Sequence, residues 1–165
     1  LSIGFNRLVP EDPEIAIETV LREPLVVALP ELHPLAARPR IELADLDGLP
    51  MILYPNIAMR GLAQEVADAF RAEHIALHVA QDVEDVVTAV ALVSSGFGLT
   101  ITTQSATRLR LPGVVFRPLL SAHLRDVELS CLYRRSDSSP VLAAFLQVVH
   151  EFARDPLSIS GLGAI

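Results

Sequence analysis

Apolar and polar positions follow two rhythms along this chain. Short runs with period two or continuous apolar character predict strands at 1–5, 25–29, 51–54, 75–79, 99–102, 113–116 and 127–133. Stretches with spacings of three and four predict helices between them. One follows the loop at 56–60 and runs to about Glu73, with Met59, Leu62, Ala63, Val66 and Phe70 on one face. A second carries Val83, Val86, Val87, Val90 and Val93 on one face. Asp82 is its expected N-cap, with Glu84 and Asp85 in the favourable first turn and Gly96 closing it. A short helix is expected at 105–109. The last follows Ser139-Pro140 and carries Leu142, Phe145, Leu146, Val149 and Phe152. Leu99 and Ile101 alternate with Thr100, Thr102 and Thr103, so that strand should have an apolar side and a hydroxyl-bearing side, suited to the wall of a small-molecule cleft.

The order over 51–117, β-α-β-α-β-(α)-β, predicts a parallel sheet with helices on both faces. Proline-rich 30–50 and polar 119–125 read as two crossings between lobes. The expected fold is therefore α/β and two-lobed. Residues 1–49 and 119–154 form a first lobe, 50–118 a complete second lobe, and 155–165 a tail. The first lobe is short of strands for a sheet that needs cover on both faces. Together with a start at Leu1 inside a strand-like run, this leads to the expectation that the lobe is incomplete and the chain a piece of a longer protein.

Charge narrows the classes. Thirteen basic against 20 acidic residues give a net charge of −7, which disfavours direct contact with a phosphate backbone. No apolar run approaches the ~18 residues needed to span a bilayer, and no signal-peptide pattern is present. Cys131 is the one cysteine and sits in an alternating strand, as a buried thiol does. The five histidines have no zinc-site spacing, so no metal is expected. SGFGL lacks the third glycine of a dinucleotide loop, and no serine has an evident base partner, so no cofactor and no catalytic residue is expected. Arg7 and Arg60 each follow a predicted strand. They are either solvated surface cations or guanidinium groups placed to pair with a ligand carboxylate.

Five segments carry a family resemblance. LREPLVVALPELHPLA, ELADLDGLPMILYP, LVSSGFGLTITTQS, GVVFRPL and VELSCLYRRSDSSPVLAAFLQVV resemble, in order and spacing, the effector-binding domain of LysR-type transcriptional regulators. IGFNRLVPEDPEI resembles the corresponding loop of the benzoate- and muconate-responsive subgroup. The resemblance implies a periplasmic-binding-protein-like, two-lobed domain that senses a small effector, an aromatic or dicarboxylic acid, in a cleft between lobes. It implies a cytoplasmic homo-oligomer, dimer or tetramer, that reaches DNA only through an N-terminal winged helix-turn-helix absent here. Positions matching the subgroup's effector site are Arg60, Gly61 and Leu62, with Thr102 and Thr103 nearby. Arg7 and Glu23 match a second aromatic-acid site. The subgroup's Pro-Asn-Phe is Arg60-Gly61-Leu62 here, which replaces an aromatic wall with a cation. The alternatives are a transporter's solute-binding protein, a small α/β enzyme, or a dimerisation module.

Overall fold

The computed structural model describes residues 3–55 and 61–154. Among them the strands are β1 (Ile3–Arg7), β2 (Ile15–Glu23), β3 (Leu25–Pro30), β4 (Ile41–Glu42), β5 (Pro50–Leu53), β6 (His78–Asp82), β7 (Thr100–Thr103), β8 (Val114–Leu120) and β9 (Val127–Arg134). The α-helices are α1 (Leu62–Ala72), α2 (Val86–Ser94) and α3 (Pro140–Arg154). Contacts divide the chain into two units, Leu1–Arg22 with Glu128–Ile165, and Glu23–Val127.

The first unit is a three-stranded sheet of order β1-β9-β2 with α3 packed on one face. β1 and β9 are antiparallel, with Ile3 opposite Tyr133 and Phe5 opposite Cys131. Val20, Cys131 and Val149 form the core, closed over by Ile3, Leu146 and Phe152. Cys131 is fully buried and its thiol is pushed up by that burial, consistent with a structural role. Ser139 caps α3 as its sequence predicts, its hydroxyl accepting from the Leu142 N–H at 3.1 Å. Three elements are tied together by Glu18 of β2, whose carboxylate accepts from the Tyr133 hydroxyl of β9 and meets Nε2 of His150 on α3 at 2.6 Å.

β2 is a strand that the apolar pattern does not isolate, because Ile15, Ile17 and Leu21 point to one face while Ala16 and Val20 point to the other. Pro24 separates it from β3, and the two strands join different sheets. This corrects the lobe boundaries. LVVAL is apolar on both faces because it is a central strand of the second unit, with every residue from Leu25 to Leu29 buried. It lies between β7 and β8 in the order β4-β8-β3-β7 and is antiparallel to both. The division therefore falls at Glu23 and Val127 instead of at 49/50 and 118/119, and the sheet is mixed instead of parallel.

β5 and β6 pair in parallel, and the Leu99 N–H to Pro50 carbonyl bond (2.9 Å) and Ile52 N–H to Leu99 carbonyl bond (2.7 Å) join β5 to the start of β7. Gly98 permits this. A Cβ there would stand 2.5 Å from the Pro50 carbonyl oxygen, closer than real side chains come. β6 begins three residues later than its apolar run suggests, since pairing aligns His78 with Pro50 and Asp82 with Leu53. α2 starts later too. Asp85 is its N-cap, accepting from the Thr88 N–H at 2.9 Å, while Asp82 closes β6. The buried face of the helix is Ala89, Val90 and Val93, and Val87 lies off it at 54% exposed. Ala89 and Val93 pack on Ala28 and Ile52. Gly96, at φ +79°, ends α2 with its N–H on the Val93 carbonyl. No helix among the described residues is long and apolar enough to cross a membrane.

Two predictions follow from these contacts. Gly98→Ala should destabilise the protein by about 1–3 kcal/mol in urea unfolding, because a backbone carbonyl cannot yield as a side chain can. The Glu18 cluster sets a pH window. Its hydrogen bonds with His150 and then Tyr133 hold the Glu18 carboxyl below its ordinary 4.5, and the bond to Glu18 pushes the Tyr133 hydroxyl up from 10.0 to about 12. A lowered acid stabilises above its unfolded value and loses that contribution as pH falls through the folded one. A raised tyrosine stabilises below pH 10.0 and loses its contribution as pH rises to about 12. The stability difference between wild type and Glu18→Gln should therefore be largest between these limits and shrink on both sides, read from urea midpoints across pH.

Candidate functional site

β5, β6 and β7 run in the same direction, so their carboxyl ends share one edge of the second unit. β3 runs the other way and brings its start there, with Leu25 opposite Thr103. The ends of parallel strands in open α/β sheets are where ligands bind. Three helical segments begin from this edge: α1 after Gly61, α2 after Asp85, and the 3₁₀ turn Gln104–Leu109 after Thr103. Their first N–H groups carry partial positive charge.

The hydroxyls of β7 do not all face a cleft. Thr100 and Thr102 share one face, and both residues are fully buried. Thr100 donates to the Ile52 carbonyl at 2.7 Å, and the Thr102 hydroxyl is bonded to the Tyr54 hydroxyl at the end of β5. Both therefore tie β7 to β5 and hold the edge. Thr103, on the opposite face, is nearer the rim, with Oγ1 at 3.1 Å from the Ser105 hydroxyl. Glu23 is buried beside it, its Oε1 accepting from the Ser105 N–H at 2.9 Å, and the Gln104 N–H donates to the Pro24 carbonyl.

Gly61 and Leu62 are buried at the start of α1, where the Gly61 carbonyl accepts from the N–H groups of Gln64 and Glu65. Gly61 has no side chain to occupy the helix N-terminus. Met59 and Arg60 lie outside the described residues. Arg7 belongs to the first unit and Glu23 to the second. The acidic turn keeps Asp82, Glu84 and Asp85 exposed at the same edge, and Asp85 is held below the usual carboxylate range, chiefly by the Thr88 backbone N–H. Tyr54 is the residue that pattern reading passed over. The signal was available: a phenol at the last position of an apolar strand, followed by a proline. Its partner Thr102 is far along the chain, so only folding pairs them.

These features define a class, an α/β ligand-binding domain of the periplasmic-binding-protein type. The chain belongs to the LysR substrate binding domain family, whose model matches residues 1–154. It is 29% identical to the HTH-type transcriptional regulator TcbR of Pseudomonas sp. strain P51, over 94% of this chain and 52% of that protein. It is 32% identical to the regulator BudR of Raoultella terrigena, over 90% of this chain and 51% of that one. Among solved structures, full-length CbnR complexed with its target DNA superposes with a TM-score of 0.82 at 29% identity, covering 93% of this chain and 53% of CbnR. The BenM effector-binding domain with its effector benzoate superposes at 0.79 and 23% identity, covering 99% of this chain and 72% of that one, and so shares its fold. The chain thus spans about half the length of the curated relatives it matches.

The support given by the buried pair is testable. Thr102→Val strips a buried hydroxyl contact of one member and should cost about 1–3 kcal/mol in unfolding free energy. A cycle with Tyr54→Phe should return a coupling of about 0.5–3 kcal/mol, and simple additivity would mean the two hydroxyls act independently.

Proposed function

We propose that this chain is the part of a LysR-type regulator that binds a small carboxylate effector, an aromatic or dicarboxylic acid, at the carboxyl edge of the second unit. The observation that carries the reading is the meeting there of three strand ends and three helical N-termini. Gly61 and Leu62 offer the start of α1, and Thr103 a hydroxyl near the rim. Thr102 acts through Tyr54 by fixing the wall behind them. The carboxyl side chains described at this edge are those of Glu23, Asp82, Glu84 and Asp85. Attraction for a carboxylate therefore rests on Arg60, with the N–H groups of α1 assisting. Arg7 and Glu23 remain the candidates for a second aromatic-acid site.

Binding without turnover fits the hydroxyls: Thr100 bonds to a backbone carbonyl, Thr102 to a phenol and Thr103 to a serine, and none to a base. In the whole regulator, a cytoplasmic homo-oligomer, effector binding would change the preferred arrangement of the domain and thereby of a separate DNA-binding part. The ligand can shift that equilibrium only by its differential affinity for the two states.

Titration with benzoate, salicylate and muconate, followed by thermal shift, tests the reading. At 100 times its Kd a true effector adds about 2.7 kcal/mol of stability. Arg60→Ala should weaken carboxylate binding about tenfold or more, the loss of one charge-assisted contact. Unchanged affinity in Arg60→Ala removes Arg60 from the site, and the absence of any shift with all three acids sinks the carboxylate assignment.

A further inference from the structure

The three helical starts at the carboxyl edge are not equivalent. The start of α2 is closed by its own Asp85, whose Oδ1 accepts from the Thr88 N–H at 2.9 Å and whose Oδ2 accepts from the Thr88 hydroxyl at 2.8 Å. The start of the 3₁₀ turn is closed from another strand. Glu23, 5% exposed, accepts from the Ser105 N–H, and the Pro24 carbonyl accepts from the Gln104 N–H. A carboxylate seated on a helical start offsets the partial positive charge that would otherwise draw an anion. The start of α1 differs. Its N-cap is Gly61, which makes no side-chain cap bond, and although Glu65 lies in the first turn the cap position carries no carboxylate. The strand order sets these starts side by side. β5, which leads to α1, lies between β6 and β7, and β3 adjoins β7 on its other side. The Val83 N–H bonds to the Leu53 carbonyl at 2.9 Å, so the turn that ends in Asp85 leaves directly beside the end of β5. The uncapped start therefore has a carboxylate-closed start on either flank.

We propose that this edge selects a monocarboxylic acid with an uncharged far end over a dicarboxylic acid, and that Glu23 and Asp85 set the preference. The inference rests on the effector-binding reading and narrows it. One ligand carboxylate is held at the start of α1 with Arg60. A second carboxylate, at the other end of a planar or extended acid, is carried along the edge towards one flank or the other. On the α2 side it meets Asp85, with Asp82 and Glu84 exposed in the same turn. On the β7 side it meets Glu23, which is buried, so its charge is weakly screened. The N–H groups that could offset the repulsion, those of Thr88 and Ser105, are already bonded to the protein's own carboxylates. An uncharged far end meets no such repulsion. The Thr103 and Ser105 hydroxyls lie 3.1 Å apart, and one of their two protons suffices for the bond between them. The other is left to donate to a neutral ligand oxygen.

A matched pair of ligands isolates the charge. Terephthalate and 4-carbamoylbenzoate share a ring and nearly a size, and differ in whether the far group is a carboxylate or an amide. In calorimetric titrations at neutral pH and low salt, 4-carbamoylbenzoate should bind about tenfold or more tightly than terephthalate. Asp85→Asn removes a charge and keeps an oxygen for the Thr88 N–H, and Glu23→Gln does the same for the Ser105 N–H. Each should narrow the ratio of the two affinities about threefold or more, by strengthening terephthalate binding. Glu73→Gln, at the opposite end of α1 and about 16 Å from its start, should leave the ratio unchanged. Equal or tighter binding of terephthalate by the wild type overturns the inference and leaves the effector reading standing. A ratio that Asp85→Asn does not move, or that Glu73→Gln moves as far, overturns the assignment to residues at this edge. Asp85 is exposed, so its variant decides the matter even where the buried Glu23→Gln change unfolds the protein. Binding of neither acid overturns the inference together with the carboxylate reading of the edge.

Discussion

The approach of β5 to β7 is the contact on which the second unit depends. Two backbone hydrogen bonds around Leu99 join what would otherwise be two separate sheets, and they form because Gly98 keeps clear of the Pro50 carbonyl. Thr100 and Thr102 extend the junction with side-chain bonds to Ile52 and Tyr54. The junction ends at the carboxyl edge. There the same strands deliver the starts of α1 and of the 3₁₀ turn, so the geometry of any bound ligand is inherited from a close backbone contact.

Much of this was legible in the sequence where a residue's partners are local. Ser139-Pro140 announces the start of α3, and Gly96 the end of α2. The strand around Thr100 was placed to within one residue, at 99–102 against Thr100–Thr103. What failed was pairing between distant segments. LVVAL looks the same whether it belongs to one sheet or the other, and its partners Thr103 and Pro118 decide the matter. β2 was overlooked since both its faces carry apolar residues. The Asp82 and Asp85 capping sites are chemically equivalent in sequence, and β6 pairing up to Asp82 moves the helix start to Asp85.

The site divides in the same way. The resemblance brought attention to Gly61, Leu62 and Thr103, which lie at one edge with the strand ends. It also selected Thr102, whose hydroxyl is turned inward to Tyr54, a direction that only the fold reveals.

The inward threonines have a consequence for how such a domain diversifies. Because Thr100 and Thr102 are satisfied inside the wall, side chains in the loops at the edge can be exchanged without leaving a buried polar group unmatched. Recognition and folding are then under separate sequence control. Under the proposed function, a lineage can drift towards a new effector through substitutions in these loops while the framework that presents them stays constant.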